Sequence, residues 1–178
     1  MTNAGRRNAT HSFLMSGAAL ACCVIAAMAQ SERYTATAAL TTRAGTTLES
    51  PVTVTITSFA SDEDRAALVA AVTSGGTHDA QAWLTKRPDG GTLQVGARRA
   101  TIKFAYKTPV TNGVLLTVGT AEPIALIGAG LPDTARPQGP YLGLLLIDLP
   151  SEGPGLGELA PAAKVRVDAK GAIGARPV

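Results

Sequence analysis

The stretch PVTVTITSFASDEDRAALVAAV, residues 51–72, decides the fold class. Val52, Val54 and Ile56 alternate with Thr53, Thr55 and Thr57. That period of two puts one face of a strand in a core and the other in water. Ser61 stands where a helix N-cap should, and Asp64, three residues on, is in the reciprocal capping position. Asp62 and Glu63 add negative charge where the helix dipole favours it. Leu68, Ala71 and Val72 give the helix one apolar stripe. A strand feeding an amphipathic helix predicts that the helix lies against a sheet.

Upstream, residues 1–12 are polar and carry Arg6 and Arg7, residues 13–29 are almost wholly apolar, and the run ends Ala27-Met28-Ala29. A basic start, an apolar middle and an A-x-A exit make a secretory signal peptide over 1–29, cut between Ala29 and Gln30. The apolar run falls short of the roughly 20 residues of a membrane span, so no span is expected after signal removal. Two other export routes leave traces. Ala18-Ala19-Leu20-Ala21-Cys22 resembles a bacterial lipoprotein site, with Cys22 as the lipidated residue, although the usual Leu three before the cysteine is absent. Arg6-Arg7 is the start of a twin-arginine signal without the apolar residues that should follow.

Cleavage before Gln30 leaves 149 of 178 residues, one β-rich domain over 30–178. A chain of that length buries about 68–70% of its unfolded surface. Cys22 and Cys23 leave with the signal, so neither a disulfide nor a thiolate metal site is expected. The formal charge of +3 falls as well, because loss of Arg6 and Arg7 leaves 14 basic against 13 acidic residues. Near-neutrality argues against a nucleic-acid partner. The predicted location is the periplasm or the outside of a bacterial cell.

Outward from the opening stretch, residues 33–42 alternate Tyr34, Ala36, Ala38 and Leu40 with mostly Thr, which predicts a lightly packed strand near a sheet edge. Residues 42–50 read as a loop. Gly75-Gly76 should end the first helix. Thr77 should cap a second, with Ala80, Trp83 and Leu84 as its stripe, making an αα-hairpin that needs a sheet to hold it. Strands follow at 92–97, 100–107, 114–118, 123–127, 141–149 and 159–167. Ile102, Phe104 and Tyr106 are expected on one face, and Arg98-Arg99 in the turn before them. Asn112-Gly113 marks a hairpin. The unbroken Leu144-Leu145-Leu146-Ile147 predicts a central strand covered on both sides. Residues 128–140 are a long loop, and the tail after 171 carries no element. The expected fold is α+β, mainly an antiparallel sheet or open barrel with a two-helix hairpin on one face.

Ser61-Asp62-Glu63-Asp64-Arg65-Ala66-Ala67-Leu68, the apolar helix after it, Gly75-Gly76 and Glu122-Pro123-Ile124 resemble a group of exported bacterial proteins of unknown function. In that group an alternating strand runs into a helix opened by Ser/Thr-Asp. The resemblance covers most of residues 33–168. It implies export and fold, and supplies no catalytic residues.

Candidate chemistry is sparse. Ile124-Ala125-Leu126-Ile127-Gly128-Ala129-Gly130 looks like a dinucleotide-binding turn, with Asp148 at the distance of a ribose-binding acid. Asp133 at the third glycine position would repel a pyrophosphate, and Pro132, Pro137 and Pro140 prevent the phosphate-holding helix. Asp62, Glu63 and Asp64, being consecutive on a helix, point apart and cannot share one ion. His78 has no metal-ligand spacing around it. A hydrolase using His78 with Asp79 or Asp148 remains the alternative, without a G-x-S-x-G elbow. Arg98, Arg99 and Tyr106 are the candidates for ligand contact, with Lys103 and Lys107 beside them. Aromatic residues make up only 4% of the chain, too few for a stacking platform. The expectation is an exported, non-enzymatic domain, without cofactor or metal, that binds a small apolar ligand or a protein partner.

Overall fold

The computed structural model describes residues 31–41, 47–124, 139–169 and 171–176. The signal segment, Cys22 and the Gly128–Gly130 turn lie outside the described residues. Eight strands and one helix follow one another: β1 (Glu32–Thr41), β2 (Thr47–Ile56), α1 (Asp62–Thr85), β3 (Gly91–Val95), β4 (Arg98–Val110), β5 (Gly113–Thr120), β6 (Leu142–Pro150), β7 (Leu156–Val167) and β8 (Ile173–Arg176). The strands lie in the sheet in chain order, each antiparallel to the next. Among the described residues the sheet is not closed: β1 is bonded only to β2. The α+β antiparallel fold therefore stands.

The sheet has two cores. Within its curl, Val52, Val54, Ile56, Leu93, Val95, Ile102, Leu116, Val118 and Leu145 form the inner cluster. On the outer face, Phe104, Leu142, Leu144 and Val165 meet Leu68, Val72, Ala80 and Leu84 of α1. Burying each large side chain contributes roughly 1.5–3 kcal/mol. The β6 run serves both cores, with Leu145 inward and Leu142 and Leu144 under the helix, which is why it is apolar without alternation.

Strand β4 changes face partway. Its pairing with β5 slips between Ile102 and Phe104. Ile102 consequently joins the inner cluster, while Phe104 and Tyr106 point outward under α1 and Ala105 points in. The single face expected for Ile102, Phe104 and Tyr106 is thus split, since a shift of one residue exchanges the two faces of a strand.

Helix α1 opens with the predicted cap. Ser61 Oγ accepts from the Asp64 N–H at 3.1 Å, and Asp64 Oδ2 accepts from the Ser61 N–H at 3.3 Å. The expected two-helix hairpin is not what forms. There is one helical element of 24 residues, sharply bent where Gly75 (φ −132°, ψ 16°) and Gly76 (φ 64°, ψ −141°) leave helical geometry. The glycines permit the bend without opening a separate loop. Thr77 is consequently no cap: its buried Oγ1 accepts the Val165 N–H at 2.9 Å, tying the bend to β7. Among the described residues no helix is long and apolar enough to cross a membrane.

Three boundaries differ from the sequence expectation. β2 begins at Thr47 rather than after Ser50, because β1 pairs with it from Thr41 onward. Arg98 and Arg99 start β4 opposite Val95 and Gln94 instead of forming the turn. The tail adds β8, whose Ile173 and Ala175 extend the outer core. Of the strand expected at 123–127, Pro123 and Ile124 carry no strand and the remainder lies outside the described residues.

Candidate functional site

The open seam of the sheet holds a cavity of about 740 Å³. Its walls are β1 from Arg33 to Ala39, the inner side chains Val52 and Val54 of β2, Leu145, Ile147 and Leu149 of β6, and the start of β7 up to Leu159. Small residues make the room. Ala36 and Ala38 of β1 line it together with Leu145 and Ile147 of β6, and Tyr34 and Ala38 also pack on the inner cluster. The walls are otherwise fixed by buried residues: Val54 is 1% exposed and Leu145 5%.

At the start of β1 the inner face carries a polar tie. Lys107 Nζ donates to both carboxylate oxygens of Glu32 at 2.6 Å, and the Tyr34 hydroxyl donates to the same carboxylate. The Lys107 ammonium also lies 4.6 Å from the centre of the Phe59 ring. Hydrogen bonds from Lys107 and then from Tyr34 hold the Glu32 carboxyl below its ordinary range, against the opposing pull of burial. Burial and the bond to Glu32 push the Tyr34 hydroxyl up. The tie joins the start of β1 to β4, and of its three side chains Tyr34 is a wall of the cavity.

The sequence candidates are not brought together. Arg98 and Arg99 sit at the start of β4 next to the β3–β4 turn. Tyr106 is on the outer face, where its hydroxyl donates to Asp62 Oδ1 at 2.6 Å, its ring stacks on Phe104, and the Arg65 guanidinium lies 5.5 Å from the ring centre. None of the three lines the cavity. The β4 slip, invisible in the alternation itself, is what carries Tyr106 away from it. What the sequence did signal was the lightly packed edge strand: an Ala/Thr-rich β1 facing β6 is the origin of the cavity.

His78 lies beside the helix bend, with Nδ1 3.0 Å from Asp79 Oδ1 and a side chain 77% exposed. Ser74 Oγ donates to Asp79 Oδ2 at 3.3 Å. The order of contacts is Ser–Asp–His, with the acid in the middle; a nucleophile triad needs the imidazole there, taking the hydroxyl proton. Asp148 is on β6, opposite Leu156 and away from this group. Among the described residues no group of three or more His, Cys, Asp and Glu side chains is placed to hold a metal ion. Comparison with protein-family models, with curated proteins and with solved structures gives no match to the chain.

Proposed function

We propose that this chain is an exported, non-enzymatic bacterial domain that holds a small apolar ligand in the seam between β1 and β6–β7. One observation carries the reading: an apolar cavity of about 740 Å³ on a rigid sheet, in the range of roughly 300–1,000 Å³ usual for small-molecule sites. Most of its walls are aliphatic, and a few polar groups stand at one end, which is how such sites combine affinity with orientation. Export is supported by the basic, apolar and A-x-A segments before Gln30. In this reading the open barrel is the working form of the sheet, because the unjoined edges are the way in.

The test is a titration with N-phenyl-1-naphthylamine, whose fluorescence rises in apolar surroundings. Wild-type protein should give saturable enhancement at one site. Ala36→Phe, which places a ring in the cavity from an exposed position on β1, should abolish it while leaving the circular-dichroism spectrum unchanged. Unaltered binding by that variant would remove the cavity from the account. Mass spectrometry of secreted material should find Gln30, or its pyroglutamate, first.

A further inference from the structure

The cavity is bounded in two different ways. β2 gives it Ser50, Val52 and Val54, and β6 gives it Leu145, Ile147 and Leu149, every second residue and hence one face of each strand. β1 gives it every residue from 33 to 39, and the approach to β7 gives it residues 154–157 without a gap. Consecutive residues of a strand alternate between faces, so what the cavity meets there is the strand edge, backbone included.

Those edges are open. Among the described residues β1 bonds only to β2, and β8 pairs with β7 only over residues 164–167, which leaves the start of β7 bonded to β6 alone. The direction of the free groups on β1 is read at Pro51, whose carbonyl accepts the Gly96 N–H at 2.8 Å on the β3 side. Pro51 stands opposite Thr37. This pair therefore exchanges no hydrogen bond, and Thr37 turns its own N–H and C=O away from β2. By the period of two, Arg33, Thr35 and Ala39 do the same. A row of free donors and acceptors is a template for another strand, and natural edges are blunted by proline, lysine or a bulge. β1 has neither proline nor lysine, and its register with β2 is unbroken over all 10 residues.

β1 and β7 are both odd members of an antiparallel series and run the same way. One strand running the opposite way can pair with both. A free apolar molecule fills the aliphatic faces of β2 and β6 but pairs none of the edge groups, whereas a polypeptide strand does both. Taking from the reading above only that the seam is a binding site, we propose that it accepts an extended segment of another polypeptide as an added strand between β1 and β7. The segment bonds to the outward groups of Thr35, Thr37 and Ala39. It turns alternate, apolar side chains in against Val52, Val54, Leu145 and Ile147, and its remaining side chains are polar.

The probe is acetyl-Lys-Thr-Val-Thr-Val-Thr-Val-Thr-Lys-amide. It is compared with the same peptide methylated on two central backbone nitrogens, which keeps every side chain and removes two donors. The parent should displace N-phenyl-1-naphthylamine from wild-type protein, and about tenfold more of the methylated peptide should be needed, the size of two lost hydrogen bonds. Thr37→Pro removes an outward donor without touching a bond to β2, and should weaken the parent peptide severalfold while the circular-dichroism spectrum stays unchanged. In wild-type protein the parent should slow amide exchange at Thr35, Thr37 and Ala39. Equal displacement by the two peptides, or none by either while the naphthylamine binds, overturns the added strand and leaves the apolar cavity standing. If the naphthylamine does not bind, the cavity reading fails by itself, and exchange at the three amides still decides the strand: no slowing overturns it. A dimer that Thr37→Pro dissolves would put a second copy of the chain on this edge and overturn the peptide.

Discussion

Asp64 Oδ2 and Arg87 Nη2 are 2.6 Å apart, although Asp64 is in the first turn of the 24-residue helix and Arg87 lies two residues past its end. A straight helix of that length would hold its ends about 36 Å apart. The bend at Gly75-Gly76 therefore brings the two arms of this one element close, and the ion pair ties them together. Arg87 also lies 5.0 Å from the centre of the Trp83 ring. The two side chains are 33% and 23% exposed, so the latch is partly screened. Arg87→Ala should cost about 1 kcal/mol in urea denaturation, combining an ion pair and a cation–π contact. A double-mutant cycle with Asp64→Asn should return a coupling of a few tenths to about 1 kcal/mol. No coupling would mean that the arms are held by their apolar faces alone.

Gly76 should not accept a side chain. A Cβ there would meet nothing within 4 Å, so space is not the obstacle; its φ of 64° with ψ −141° is. Gly76→Ala should lose about 1–3 kcal/mol, the cost of holding a non-glycine residue in that region. Thermal unfolding measures it. An unchanged midpoint would show that the bend can be made with another backbone geometry.

The bond from the Val165 N–H to Thr77 Oγ1 is buried and crosses from β7 to the helix. Thr77→Val keeps the shape and removes the acceptor, which should cost about 1–3 kcal/mol because a buried N–H is left without a partner. Thr77→Ser, which keeps the hydroxyl, should recover most of it. Hydrogen exchange at Val165 should accelerate in the valine variant and not in the serine variant.

The Glu32 tie should make stability depend on acid. Its carboxyl is more acidic folded than unfolded, first through Lys107 and then through Tyr34. The folded chain consequently binds fewer protons than the unfolded one in the range between the two values. The stabilisation is whole above the unfolded glutamate value, about 4.3, and drains as pH falls through it to the folded value. Wild type should be more stable than Glu32→Gln at neutral pH, and the gap should close in acid. A gap independent of pH would separate the tie from the charge on Glu32.

What could be read in the sequence follows from how local each signal is. Ser61 and Asp64 cap a helix by themselves, and β6 announces its double burial through four consecutive apolar residues. The slip between Ile102 and Phe104 is set in the pairing with β5, so the alternation in the β4 sequence is unbroken although Tyr106 and Ile102 lie on opposite faces. Thr47–Ser50 and β8 are strands because of what they pair with, their own side chains being weak signals. Gly75-Gly76 reads as a stop in isolation, and only the contacts of Thr77 and Arg87 turn it into a bend. The Ala and Thr of β1 mark it as a lightly packed edge strand, but the cavity beside it depends on how the whole sheet curls.

The strand order has a bearing on how the molecule is made. Every strand bonds to the one synthesised just before it. A chain emerging amino end first can thus lengthen its ladder one hairpin at a time, and no early strand has to wait unpaired for a late one. The exception is the helix, whose Thr77 needs Val165, 88 residues further on. Docking of the helix onto β7 can accordingly be completed only when Val165 has arrived, close to the end of the chain.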